Sequence, residues 1–297
     1  MKCVCGLLVL SLIAVSIEAA EWNYNNVSIW GGLCETGIYQ SPINLVADDT
    51  VVDRIFSPFS FTNYDIAYPA KVKNNGHTVT ITLNASNVPT ITGGGLMEEY
   101  ILDHFHFHWQ SEHTVDNVRY PLEMHLVHYA KKYNNLTEAA TYAEGVAVLG
   151  VLFELSIDDD EDFIALIEVM ENVVHNTTIE VELQRHIAAR SFLPRITGDY
   201  YRYTGSLTTP ACNEGVIWTV FHRTLPLSAD QIRHFERVWS PEGPLVLNYR
   251  PVQPLNERVI YVRNIPKRIP GGSALPNASA MCIVVLAALP VIKNYLL

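Results

Sequence analysis

The chain is 297 residues long and carries 20 Lys and Arg against 31 Asp and Glu, a formal net charge of −11 at neutral pH. That balance argues against a nucleic-acid partner, because holding phosphates needs a positive surface. Acidity at this level otherwise favours solubility.

Residues 1–20 read as a signal peptide: Lys2 gives a charged start, Gly6 to Ile17 form a short apolar run, and Ala19 and Ala20 offer a small-residue exit. The run is too short to cross a bilayer comfortably as an anchor. Residues 21–265 contain no internal repeat and no composition break, so about 250 residues are expected to form one domain. Val79-Thr80-Ile81-Thr82-Leu83 and Phe105-His106-Phe107-His108-Trp109 alternate in strand fashion. Val146 to Phe153 is almost wholly apolar and predicts a central strand buried on both faces. Asp160 caps a predicted helix with Phe163, Ile164, Ile167 and Met170 on one face. Ser228 and Gln231 form a capping box ahead of Ile232, Phe235 and Val238. Many strands and few helices predict an α+β fold, a single domain on a large, mostly antiparallel twisted β-sheet with peripheral helices.

Residues 266–280 hold the small cluster Pro270-Gly271-Gly272-Ser273-Ala274 and a spacer, and 281–297 contain the uncharged run Met281 to Ile292. Together they read as an attachment signal for a GPI anchor on the extracellular face of the plasma membrane. A transmembrane helix is the alternative, disfavoured by the short run and by Pro290. Cys3 and Cys5 leave with the leader and Cys282 with the tail. Cys34 and Cys212 remain, and in an oxidising compartment they are expected to be bonded to each other. Asn26, Asn84, Asn135, Asn176 and Asn277 each have Ser or Thr two residues on, as glycosylation acceptors do.

His104, His106 and His108 occupy alternate positions, which in a strand puts their imidazoles on one face and Phe105, Phe107 and Trp109 on the other. Glu123 and His125 share a face of the run Glu123-Met124-His125-Leu126-Val127-His128. Side by side, two such strands bring imidazoles together, and three neutral imidazoles make an open tetrahedral zinc site whose fourth position holds water. Glu123 is placed to accept from the far nitrogen of a ligand. Spacing leaves open which two of His104, His106 and His108 are ligands.

The chain resembles the α-class carbonic anhydrases, secreted or GPI-anchored type, from about Trp22 to Val262. The blocks that carry the resemblance are Gln40-Ser41-Pro42-Ile43-Asn44-Leu45, Asn74-Asn75-Gly76-His77, Phe105-His106-Phe107-His108-Trp109, Ser111-Glu112-His113-Thr114-Val115-Asp116, Glu123-Met124-His125-Leu126-Val127-His128, Gly205-Ser206-Leu207-Thr208-Thr209-Pro210 and Asn248-Tyr249-Arg250-Pro251. It implies hydration of carbon dioxide to bicarbonate and a proton, with Zn2+ on His106, His108 and His125 and with His104, Glu123 and Asn248 supporting those ligands from behind. It further implies that Thr208 passes a hydrogen bond to Glu112 and orients the nucleophile, and that Val127, Val148, Leu207, Thr208, Thr209, Val216 and Trp218 surround the substrate. His77 is the implied proton shuttle, with Tyr24 and Asn75 ordering water. His104 is a departure, standing where many relatives carry Gln; an imidazole there accepts or donates according to its tautomer. The stretch between Trp109 and Glu112 is also shorter than in many animal relatives, which is expected to alter a rim loop. Two other readings compete: a silent binding ectodomain of the same fold, which in such relatives goes with loss of a zinc histidine, and a zinc esterase.

Overall fold

The computed structural model describes residues 22–53 and 55–265. The leader, the attachment region, the C-terminal apolar run and Asn277 lie outside them.

Ten strands follow one another across the main sheet. In chain order they are β1 (Val51–Val52), β2 (Ala70–Asn74), β3 (Val79–Leu83), β4 (Tyr100–Trp109), β5 (Leu122–Ala130), β6 (Val146–Ser156), β7 (Glu180–Glu182), β8 (Tyr200–Ser206), β9 (Glu214–Phe221) and β10 (Tyr261–Arg263). Their order in space is β7-β2-β3-β4-β5-β6-β9-β8-β10-β1, and three further strands off this path bring the sheet to thirteen. Pairing is antiparallel from β7 through to β6. It turns parallel between β6 and β9 and between β10 and β1. The fold is therefore the α+β, mostly antiparallel sheet that the many short strands predict.

The two faces of the sheet bury different side chains. Phe105, Phe107 and Trp109 of β4 and Leu122, Met124 and Leu126 of β5 enter one core. Helices α1 (Glu161–Val173) and α2 (Ala229–Glu236) lie over it. Asp160 caps α1 by accepting from Asp162 N–H, and the Ser228–Gln231 box caps α2. The buried stripe of α1 is Phe163, Leu166, Val169, Met170 and Val173, whereas Ile164 and Ile167 are only half-buried. Both stripes keep a helical period, and contact with the sheet selects the one that continues to Val173. On the opposite face, Val127, Val148, Val216 and Trp218 belong to a second apolar cluster, beside the alternate side chains of β4 and β5.

Two long-range ties bring distant segments to that second face. Cys34 and Cys212 form a disulfide. The buried Arg250 guanidinium donates to Cys34 O at 2.7 Å and to Gln40 Oε1 and Ser41 O at 2.8 Å. A charge removed from water needs this degree of satisfaction.

Candidate metal centre

β4 and β5 pair with His125 directly across from His106 and with Glu123 across from His108. Alternation then points His106, His108 and His125 to one face, and their rings converge. His125 Nδ1 lies 3.1 Å from His106 Nε2 and 3.2 Å from His108 Nε2. The far nitrogen of each ring is occupied. His108 Nδ1 donates to the Asn248 carbonyl at 2.6 Å, and His125 Nε2 donates to Glu123 Oε1 at 2.8 Å. His106 Nδ1 lies 3.0 Å from His104 Nε2.

A carbonyl only accepts, so His108 carries its proton on Nδ1 and its Nε2 is a bare lone pair. The same reasoning bares His125 Nδ1, opposite the Glu123 carboxylate. Burial pushes the His106 imidazole well below its ordinary range, and the neighbouring imidazoles add to the push. Burial also lowers His108, against the opposing pull of Glu112. Burial works against the Glu123 carboxylate as well, but His113 and His125 overrule it and hold the group well below the usual carboxylate range. With these partners behind them, His108 Nε2 and His125 Nδ1 face each other lone pair to lone pair, an arrangement that repels unless a cation sits between them. Metal–nitrogen bonds of 2.0–2.1 Å at tetrahedral angles require nitrogens about 3.3 Å apart. The residues fit a zinc ion.

Glu112 lies behind this group. Its Oε1 accepts from Arg250 N–H at 2.8 Å, while Oε2, 3.6 Å from His108 Nε2, is buried and has no hydrogen-bond partner among the described residues. Leaving a buried oxygen unmet costs about 1–3 kcal/mol, so this oxygen marks where a donor belongs. The stretch before it is pinned, with Gln110 N–H donating to Pro121 O and Ser111 N–H to Tyr120 O, both at 2.8 Å.

The cavity over the imidazoles has a volume of about 230 Å3, and Val127, Val148, Leu207, Thr208, Thr209 and Trp218 are on its wall. Residues 19–264 match the family model of eukaryotic-type carbonic anhydrase. The chain belongs to this family. It is 38% identical over 243 residues to carbonic anhydrase 15 of Mus musculus, covering 75% of each chain. Carbonic anhydrase 4 of Rattus norvegicus is 32% identical over 286 residues, 88% of this chain and 90% of the relative. Carbonic anhydrase 3 of Homo sapiens is 33% identical over 259 residues, 82% of this chain and 98% of the relative.

In this carbonic anhydrase the sequence-predicted residues fall into three places. His77, Tyr24 and Asn75 line the cavity mouth with His104. The His77 ring stacks on Trp22 with centroids 3.8 Å apart, and Asn75 Oδ1 accepts from the His77 and Thr78 amides at 2.9 Å, which shapes the turn. Glu112, Glu123 and Asn248 are wholly buried behind the imidazoles. Val216 is not among the residues lining the cavity and packs in the apolar cluster behind that wall. Four lining residues were not anticipated: Trp22, Thr78, Thr80 and Leu136. Thr80 had a legible signal, because alternation along Val79–Leu83 puts it on the polar face, and it pairs with His106. Leu136 and Trp22 reach the cavity from remote segments and had none.

Proposed function

We propose that this carbonic anhydrase hydrates carbon dioxide reversibly, giving bicarbonate and a proton, on a zinc ion held by His106 Nε2, His108 Nε2 and His125 Nδ1. The observation that carries the reading is the convergence of ring nitrogens of His106 and His108 to 3.1–3.2 Å from His125 Nδ1, each ring backed by a partner on its far side. A zinc ion bound there would supply the nucleophile by lowering the pKa of a coordinated water to about 7. Everything else falls to the chain.

The Glu112 oxygen has no hydrogen-bond partner among the described residues, and we assign the Thr208 hydroxyl as the donor it takes up in the working enzyme. A hydroxyl has one proton to donate, so a Thr208 committed to Glu112 can only accept from the attacking oxygen, and that fixes the direction of attack. The Thr208 backbone N–H is the donor for the substrate oxygen as charge develops on it. Val127, Val148, Leu207 and Trp218 offer carbon dioxide an apolar wall, supported by Val216. Water ordered by Tyr24 and Asn75 leads to His77, whose half-buried ring takes the proton out. A volume of about 230 Å3 suits a triatomic substrate better than an ester with a bulky acyl group. The silent-ectodomain reading is disfavoured because all three imidazoles, Thr208 and Glu112 are present.

The enzyme works at the extracellular face of the plasma membrane, held by a GPI anchor. The leader and tail patterns support this reading. So do the disulfide and the exposure of the acceptors Asn26, Asn84 and Asn135. Among the described residues no helix is long and apolar enough to cross a membrane.

The test is His125→Ala, which leaves two protein ligands and is expected to lose most of the zinc and nearly all hydration activity. Stopped-flow hydration and elemental analysis read the two effects. Full zinc occupancy in this variant would overturn the ligand set.

A further inference from the structure

Neighbouring residues in a flat strand point to opposite faces, yet Asp103 and His104 of β4 touch: Asp103 Oδ2 lies 2.7 Å from His104 Nδ1. A bulge brings them together. Val127 of β5 pairs with His104 and the next residue, His128, pairs with Leu102, so Asp103 is the extra residue on β4. Bulges re-aim side chains in this way and recur beside active sites. The other nitrogen of the same ring, His104 Nε2, lies 3.0 Å from His106 Nδ1.

We infer that Asp103 is a positioning residue for the metal centre, acting through the tautomer of His104. The inference rests on His106 being a zinc ligand through Nε2, as proposed above. A ligand bound that way carries its proton on Nδ1 and needs an acceptor there. A neutral His104 meets the need only with its own proton on Nδ1 and its lone pair on Nε2. The alternative tautomer would set two N–H groups against each other, or would move the His106 proton to the nitrogen that must face the metal. Asp103 decides between them: its carboxylate oxygen, 2.7 Å from Nδ1, is an acceptor, so it draws the His104 proton to Nδ1 and leaves Nε2 free to accept. The chain Asp103–His104–His106 thus holds the third imidazole in its binding form, as Glu123 and the Asn248 carbonyl do for His125 and His108. A glutamine at position 104 would not need this help, because its amide carries an acceptor oxygen in every state.

That difference provides the test. In the full chain, Asp103→Ala should weaken zinc binding about tenfold or more, read as the dissociation constant in competition with a chelator. In a His104→Gln background, whatever affinity that variant itself has, adding Asp103→Ala should change nothing further. A general structural role for Asp103 would cost the same in both backgrounds, and that result overturns the proposal. So does an unchanged dissociation constant in Asp103→Ala. Asp103→Lys, which puts a donor in place of the acceptor on a side chain only 35% exposed, should weaken binding at least as far and is the second variant if the alanine fails to fold. Melting of the metal-free proteins separates folding from affinity. His106→Ala, measured alongside, tests the ligand itself: full affinity there would sink the metal-site reading, whereas loss there with no effect of Asp103→Ala would sink only this inference.

Discussion

At the scale of single residues, the cavity depends on where protons sit. Three imidazoles can serve one cation only if each presents a lone pair, and the Asn248 carbonyl and the Glu123 carboxylate enforce that for His108 and His125. His77 has a different task. Its ring stacks on Trp22 at the mouth of the same cavity, and it is not one of the imidazoles that converge on the metal position. In the proposed reading, attack on carbon dioxide and export of the proton are separate steps, and only export needs His77. His77→Ala is therefore expected to slow turnover on the order of tenfold to a hundredfold in dilute buffer and little in concentrated buffer, with recovery on added imidazole. Stopped-flow rates across a buffer series measure this, and unchanged turnover in dilute buffer would assign the proton to another group.

At the scale of an element, β5 shows how one strand serves two purposes. Its alternate residues Glu123, His125 and Val127 belong to the centre and its cavity wall, while Met124, Leu126 and His128 face the main core or lie within it. His128 is fully buried, with the Tyr64 hydroxyl on its Nε2 and the Ala147 carbonyl on its Nδ1. Burial pushes its imidazole down to about 3, against the smaller pull of the nearby carbonyls. Folded His128 thus stays neutral while the unfolded residue protonates near pH 6.5, so between pH 6.5 and about 3 the unfolded state binds the extra proton. Stability is unaffected by this group above that window and falls as the pH drops through it. Going from pH 7 to pH 5 should cost about 2 kcal/mol from His128 alone. Urea unfolding at the two pH values should show that loss reduced by this amount in His128→Gln, whatever the absolute stability of the variant. An equal acid loss in both proteins would place the acid sensitivity elsewhere.

At the scale of the whole molecule, the sheet brings residues far apart in sequence to one cavity. Cys34 and Cys212, separated by 178 positions, tie the segment before Gln40 to the loop that follows Thr208 and Thr209. If a GPI anchor replaces the C-terminal run, a phosphatidylinositol-specific phospholipase should release hydration activity from intact cells into the medium. Activity that stays with the cells, while a lipid-anchored control is released, would favour a membrane-spanning tail.

Some of this architecture was written in local order. Alternation along Phe105–Trp109 and Glu123–His128 already separated imidazoles from the core aromatics, because a strand has a period of two whatever surrounds it. The caps at Asp160 and Ser228 were equally local, since each satisfies amides within three residues. By parity alone Cys34 and Cys212 were left to each other. What spacing could not decide was which of His104, His106 and His108 would face His125. Register decides it: pairing sets His125 opposite His106, and the bulge at Asp103 turns His104 toward a carboxylate instead. Nor could any local pattern put Val216 behind the cavity wall, or bring Trp22 and Leu136 to its surface. Those positions follow from how sheet, helices and loops pack on one another, and packing joins residues that share no sequence period.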